Sequence, residues 1–231
     1  MKKKTIVVLS IAAVAAIAAV AIAGPIIYRD VVVGPAAAAP TVQAPTPDDA
    51  AAGTEPSDDL SGTWSVAADS FAGYRVDEVL NGTNVTVVGR TAEVSGSFDV
   101  ETLTLTTAEV SVDVASIETD SANRDSYFRS SAVNVAEFPD ATFRLLEPVS
   151  AAAPPVGGEV QTVTVRGELT LNGETKQVDA EVQAVLAGDG GQVSGSVPIT
   201  FADFGVEAPN LGFVSVEPSG SIEFLLNIEP A

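Results

Sequence analysis

The stretch ETDSANRDSYFRSS, from Glu118 to Ser131, holds the densest group of side chains that could do chemistry. It contains Arg124 and Arg129, two of only 11 basic residues in a chain of formal net charge -20. A guanidinium suits the oxygens of an anionic group such as a phosphate. Arg124 is followed directly by Asp125, a pattern typical of an ion pair that fixes a helix end. Arg129 has no adjacent acid, so we predict that it is the better anion-binding candidate.

The residue types that are missing narrow the chemistry further. The chain has no His and no Cys, which excludes the usual Ser/His and Cys/His nucleophiles, disulfides, and zinc or haem ligation. The 31 acidic residues leave a carboxylate-dependent hydrolase open by residue type, but they form no D-x-D-x-D-G calcium series. The strong acidity argues against a nucleic-acid partner. We therefore predict a protein that is not an enzyme and that has no metal and no cofactor.

The elements that must position these residues are mostly strands. From Ser61 onward, apolar and polar residues alternate, so each run has one apolar face suited to burial and one polar face suited to solvent. The clearest runs are Val110 to Val114, Val163 to Leu171, Val178 to Val182 and Ile222 to Ile228. About eight such strands have to close on themselves or pack in two layers to bury their apolar faces. We predict an all-β fold, an antiparallel closed β-barrel.

Turn and helix signals punctuate this pattern. Asn172-Gly173, between two alternating runs, is the best hairpin candidate. Pro198, inside an apolar run, predicts a bulge or a strand end. Residues 121 to 133 break the two-residue period, and Asp120 or Ser121 can cap a helix there. We therefore predict one short helix in a β domain.

The N-terminal part of the chain has a different composition. Lys2 to Lys4 precede an uncharged run from Thr5 to Ile27, long enough to cross a membrane as a helix. We predict that residues 1–27 form a transmembrane anchor or a signal peptide, the latter cleaved after Ala21-Ile22-Ala23. Either way the C-terminal domain is exported: as a single-pass cell-membrane protein with an extracytoplasmic domain, or as a secreted or periplasmic one. Residues 28–60 are rich in Pro, Ala and Asp, a composition that predicts an extended linker. We predict that residues 61–231 form the folded domain.

Short landmarks stand in a fixed order along residues 62 to 229. They are Trp64, Ser70-Phe71-Ala72-Gly73-Tyr74, Gly96-Ser97-Phe98, Ile117-Glu118-Thr119 with Arg124-Asp125, Phe138-Pro139-Asp140-Ala141-Thr142-Phe143, the run from Gly167 to Lys176, and the run from Phe201 to Val206. Taken together, this ordered set resembles the YceI family. Two positions depart from the family pattern, because Asp69 and Tyr127 stand where histidines are common.

The resemblance implies a lipocalin-like barrel that holds a long polyisoprenoid-type lipid in its lumen, and it makes a homodimer worth testing. On this basis we expect extracytoplasmic binding, storage or transport of such a lipid. The candidate lipid-binding residues are Phe71, Tyr74, Phe98, Phe128, Arg129, Phe143, Phe201, Phe204 and Phe213. Two other hypotheses stay open: a carboxylate-dependent hydrolase of envelope material, and a structural cell-surface domain with a flat exposed apolar patch.

Overall fold

The protein is described from a computed structural model, which describes residues 35–43, 59–151, 158–187 and 189–231. The predicted anchor or signal segment, residues 1–27, lies outside the described residues. Among the helices within those ranges, none is long and apolar enough to cross a membrane.

The described chain folds into twelve strands and one short α-helix. The strands are β1 (Gly62–Val66), β2 (Phe71–Leu80), β3 (Thr83–Thr91), β4 (Val94–Glu101), β5 (Thr104–Asp113), β6 (Asp140–Leu145), β7 (Val149–Ser150), β8 (Gln161–Leu171), β9 (Glu174–Ala187), β10 (Gly190–Thr200), β11 (Val214–Val216) and β12 (Ser219–Pro230). The helix α1 (Ala122–Tyr127) lies between β5 and β6.

Eight of these strands close into an antiparallel barrel. The hydrogen-bonded order runs β1-β4-β5-β6-β8-β9-β10-β12, and β1 pairs again with β12. Trp64 and Ser65 of β1 close the barrel, since each pairs with both β4 and β12; Trp64 lies opposite Phe98 and opposite Pro230. Closure removes the free strand edges that would otherwise seek partners. The predicted closed barrel of about eight strands is therefore confirmed.

Strands β2, β3 and β11 extend the sheet at one end of the barrel. β12 pairs with β1 near its C-terminus and with β2 through Ser221 to Leu225, so the two early strands share one partner. β2 continues into the hairpin with β3, and its last residues pair with β11. Main-chain bonds between Arg90 and Glu118, of 2.9 and 3.1 Å, join β3 to the segment before α1. The helix is thereby tied to the β2–β3 end.

The predicted helix at residues 121 to 133 is confirmed. Ser121 is the N-cap, and its hydroxyl accepts from the Arg124 amide. After α1 the chain makes a π-helical turn at Phe128–Ala132. The buried Asp125 carboxylate accepts from the amide and the hydroxyl of Thr119, at 3.0 and 2.6 Å. These bonds fix the start of the helix against the preceding loop.

The turn residues act largely as predicted. Asn172 and Gly173 link β8 to β9 with φ of 53° and 81°, the paired positive values of a type I′ hairpin. Pro198 is a correction, because β10 runs on to Thr200 through it. Its pairing with β9 ends earlier, at Ser196, while pairing with β12 continues. A proline is tolerated there because its missing N–H is not needed by β9.

Part of the predicted linker is docked on the outer wall of the barrel. Residues 35–43 have no regular secondary structure, yet the carbonyls of Ala37 and Ala38 accept from Arg75 and Arg90, each at 2.7 Å. The amide of Gln43 donates to a side-chain oxygen of β10, Gln192 Oε1, at 2.9 Å. We call this stretch the 35–43 segment. It packs on the domain through these hydrogen bonds.

Candidate functional site

The inner faces of the strands enclose a cavity of about 790 Å³. The apolar members of the alternating runs line it, including Val110 and Val112 of β5, Leu169 of β8, Ala180 of β9 and Phe224 of β12. A buried cluster that includes Leu145, Val165 and Val197 packs around the barrel interior, and Val165 and Val197 also line the cavity. The alternation therefore assigns the inner face, and the volume is that of a typical small-molecule site.

Six of the nine predicted lipid-binding residues lie in the cavity wall. They are Tyr74, Phe98, Phe128, Phe143, Phe201 and Phe213. These residues come from β2, β4, the π-helical turn, β6, the 3-10 turn after β10 and the loop before β11. The fold thus collects at one cavity aromatic side chains that are scattered along the chain.

The structure places Phe71, Phe204 and Arg129 outside the cavity wall. On β2 the side chains that line the cavity belong to Ala72, Tyr74 and their even-numbered successors, with the main chain of Gly73 between them. Phe71 has the opposite parity and lies outside the wall, where the guanidinium of Arg90 is 4.4 Å from its ring centre. Phe204 is 2% exposed and belongs to the packed core. Arg129 Nη1 lies 3.3 Å from the carbonyl oxygen of Ile117 and holds the main chain before α1.

Tyr74 and Phe128 join the helical turn to the barrel. Their rings stack with centroids 5.1 Å apart and an interplanar angle of 22°. Gly89 lies opposite Tyr74 on β3, and a Cβ there would sit 2.6 Å from the Tyr74 ring. Burial raises the pKa of Tyr74 to about 12, the nearby Arg124 charge opposing the rise. The phenol is therefore protonated at neutral pH.

Glycines on β8 and β10 also make room for the aromatic rings of Phe143 and Phe224. The Phe143 ring covers Gly167, where a Cβ would lie 2.2 Å from the ring, and Phe224 covers Gly195 with a corresponding distance of 2.5 Å. A ring laid over a glycine stays close to the wall. This arrangement leaves the centre of the barrel open although many aromatic residues surround it.

The cavity opens between α1 and the loop that leads into β11. Leu211 and Phe213 of this loop both line the cavity, yet they are 56% and 58% exposed. Across the opening, Asp120 and Asn123 of the helical side are also exposed lining residues. The mouth therefore has an apolar lip on one side and a polar one on the other.

Arg124 lies at this mouth between two carboxylates. Its Nη2 is 3.2 Å from Glu78 Oε1, and its Nη1 bonds Asp120 one helical turn away. Arg124 therefore pairs with Glu78 and Asp120, whereas the partner suggested by the sequence, Asp125, accepts from Thr119. Glu78, only 5% exposed, was not among the predicted residues. Its inward position on β2 is the sequence signal that identifies it.

No metal site is evident in the part of the chain that the structure describes. Within those ranges, no group of three or more acidic, His or Cys side chains is placed to hold an ion. The geometry that the site does offer is an apolar chamber whose mouth is apolar on one side and polar on the other.

A closed antiparallel barrel with a lined internal chamber and a helix at its mouth places the protein in the class of small cavity-forming β-barrels. Within that class, residues 64–228 match the YceI-like domain. The chain belongs to the YceI-like domain family, which confirms the resemblance noted in the sequence.

Relatives of known sequence agree with this assignment. A UPF0312 protein of Enterobacter sp. (strain 638) is 32% identical over 142 residues, which are 58% of this chain and 67% of that protein. A UPF0312 protein of Pseudomonas aeruginosa (strain LESB58) is 32% identical over 150 residues, 61% of this chain and 72% of that protein.

Two solved structures share the fold at lower identity. A polyisoprenoid binding domain from Saccharophagus degradans, implicated in plant cell wall breakdown, superposes with a TM-score of 0.59 at 22% identity, covering 73% of this chain and 98% of that one. BcnA of Burkholderia cenocepacia gives a TM-score of 0.53 at 21% identity, covering 67% and 95%. At these identities the likeness establishes the fold alone.

Proposed function

We propose that the protein is a binding protein, not an enzyme, and that it holds a long, slender polyisoprenoid-type lipid inside the barrel. The observation that carries this proposal is the chamber of about 790 Å³, with apolar side chains from strands all around the barrel. Each methylene moved from water into such a lumen gains about 0.8 kcal/mol. Affinity for a long tail therefore needs no catalytic group. The polyisoprenoid binding domain of the same fold supports this choice of ligand.

The two rival hypotheses receive less support from the geometry. A carboxylate-dependent hydrolase requires two converging acids free to act on a substrate, whereas two of the three described carboxylates in the chamber wall, Glu78 and Asp120, are bonded to Arg124. A structural surface domain requires a flat apolar patch. The most exposed large apolar side chains, Leu211 and Phe213, belong instead to the wall of the chamber.

We further propose that the lipid is stored, shielded or carried outside the cytoplasm, by a domain held at the membrane through residues 1–27. The uncharged run from Thr5 to Ile27 behind three lysines supports this. Comparing membrane and secreted fractions of the full chain and of a chain without residues 1–27 tests it. Recovery of both proteins in the same fraction contradicts the membrane role. Light scattering on the purified chain tests the expected homodimer.

The binding proposal is tested by filling the lumen from one strand. Val165 and Thr164 are neighbours on β8, the first buried in the chamber wall and the second exposed on the outside. Val165→Phe should reduce binding of a polyprenol to the full chain by about tenfold or more, because the ring occupies tail space. Thr164→Phe, the matched control, should bind like the original protein. Native mass spectrometry with solvent extraction of the bound lipid reads out both.

Thermal unfolding of the two variants accompanies the binding measurement, because added bulk in a packed region costs about 1–3 kcal/mol. A folded Val165→Phe variant with unchanged lipid affinity would contradict a tail in this chamber. Absence of affinity of the original chain for any prenyl lipid would contradict the whole proposal.

A further inference from the structure

We propose that the lipid in the chamber carries an uncharged, hydrogen-bonding headgroup, such as an alcohol or a carbonyl, and that the mouth selects against a phosphate. This inference rests on the proposed lipid-binding function and assigns the chemical class of the headgroup. It also replaces the headgroup role expected of Arg129, which lies outside the chamber wall.

The charge lining the chamber is negative overall. Within the described part of the chain, the charged lining residues are Glu78, Asp120, Arg124 and Glu207. Three carboxylates and one guanidinium give a formal charge of -2. The Glu78 carboxylate is buried, so its charge is less screened by solvent than the charges of the exposed Asp120 and Glu207. A phosphate at the mouth meets net repulsion.

Arg124 is the only described cation in the wall, and it is already held. Glu78 Oε1 lies 3.2 Å from its Nη2, Asp120 bonds its Nη1, and the Glu78 side chain is only 5% exposed. A phosphate that took over this guanidinium would leave Glu78 buried without its partner. Breaking a buried ion pair on one side is strongly unfavourable. Arg124 therefore serves to stabilise Glu78 and the helix, and its charge is not available to a ligand.

The remaining described cations cannot substitute for it. Five more arginines and one lysine lie in the described ranges, and none is in the chamber wall: they are Arg75, Arg90, Arg129, Arg144, Arg166 and Lys176. The first two are held on the outer face by Glu223 and by the carbonyls of the 35–43 segment. The positive charge that a diphosphate or phosphate clamp requires is thus kept away from the opening.

Neutral polar groups are present at the same end of the chamber. Tyr74, Ser121, Asn123 and Tyr127 all line it beside α1. The phenol of Tyr74 stays protonated at neutral pH because burial raises its pKa. Phenol, hydroxyl and amide groups can donate to and accept from a hydroxyl or a carbonyl. They match an uncharged headgroup at the mouth with its tail among the apolar strands.

The test compares a polyprenol with the monophosphate of the same polyprenol, each titrated against the full chain and read by native mass spectrometry. We expect the alcohol to bind at least about tenfold more tightly, a difference of about 1.4 kcal/mol. Added salt should narrow this difference by weakening the repulsion. Equal affinities, or tighter binding of the phosphate, would overturn the assignment of the headgroup. Failure of both lipids to bind would instead refute the proposed function and this inference with it.

Charge-removing variants test whether the carboxylates at the mouth, and not the net charge of the protein, weaken phosphate binding. Asp120→Asn changes a 53% exposed side chain and should raise the affinity for the phosphate about threefold or more, leaving the alcohol unchanged. Glu78→Gln should act in the same direction and frees Arg124 further. Glu168→Gln, which removes the same charge from an outer-wall pair with Arg144, is the matched control and should change neither lipid. An identical response of Asp120→Asn and Glu168→Gln would overturn the proposal.

Discussion

At the scale of single residues, position on a strand decides what each aromatic or charged side chain does. Phe71 and Tyr74 both belong to β2, but only Tyr74 has the parity of the inner face. Arg124 and Arg129 both belong to the helical segment, but one meets Glu78 and the other meets a main-chain carbonyl. Residue type alone does not distinguish the members of either pair.

Tyr74 gives a pH prediction. Its pKa is raised from 10.0 to about 12 because burial disfavours the phenolate. In the unfolded chain the phenol ionises near its ordinary pKa, so ionisation stabilises the unfolded state first as the pH rises. The free energy of unfolding should therefore fall between pH 10 and pH 12, by about 2–3 kcal/mol at 1.36 kcal/mol per unit.

Replacing Tyr74 with Phe removes this titration, so the free energy of unfolding of the variant should fall much less over the same window. Denaturant unfolding at a series of pH values measures it. Tyr127→Phe is the control and should keep the full decline. Parallel curves for the Tyr74→Phe variant and the original chain would show that the ionisation of Tyr74 is not coupled to folding.

At the scale of elements, the packing of the 35–43 segment on the barrel is not evident from its composition. Its residues are the small, Pro-rich ones typical of a solvated linker. It is held because Arg75 and Arg90 present donors on the outer wall, and because Val42 is 9% exposed. The same wall buries Glu223, which pairs with Arg75 through both carboxylate oxygens. Residues 35–43 have the composition of a linker, but they pack on the folded domain as part of its outer wall.

Val42 tests whether this docking contributes to stability. Val42→Ser removes buried apolar surface and should lower the free energy of unfolding by roughly 1–2 kcal/mol. Ala39→Ser, at an exposed position of the same segment, should change it by less than about 0.5 kcal/mol. Chemical denaturation of the two variants measures the difference. Equal, negligible changes would mean that the segment adds no stability where it lies.

At the scale of the whole molecule, the buried core and the chamber share one wall. Val165 belongs both to the buried cluster and to the chamber wall, while α1 and the loop before β11 frame the opening. The apolar lip of Leu211 and Phe213 is exposed although it belongs to the chamber wall. Exposed apolar side chains at the entrance of a chamber are typical of a surface that contacts an apolar ligand.

The lip gives a kinetic prediction. Replacing Leu211 and Phe213 together with Ser should slow the uptake of a polyprenol from phosphatidylcholine vesicles by several-fold, because the tail would then cross a more polar rim. Stability should change by less than about 1 kcal/mol, since both side chains are already exposed. A transfer assay with a fluorescent polyprenol measures the rate. Val160→Ser, at a 40% exposed position that does not line the chamber, is the control, and an equal slowing in both would contradict a role for the lip.

Much of the architecture follows from the sequence by itself. The two-residue alternation identifies the inner faces of β5, β8, β9 and β12, and Asn172-Gly173 specifies its hairpin, because side-chain period and turn geometry are local properties. The break in period with Ser121 ahead of it identifies the helix for the same reason. The ordered landmarks were enough to indicate the family, and with it the closed barrel.

The tertiary structure alone decided which residues meet at the mouth. Arg124 and Glu78 are 46 residues apart, and nothing local predicts that a helix after β5 returns to the end of β2. The docking of the 35–43 segment depends likewise on donors that β2 and β3 present together. Such contacts depend on register and closure, which are properties of the assembled barrel. The sequence therefore determined a closed barrel with an apolar inner face, whereas only the tertiary structure showed an open lumen and placed the charges at its mouth.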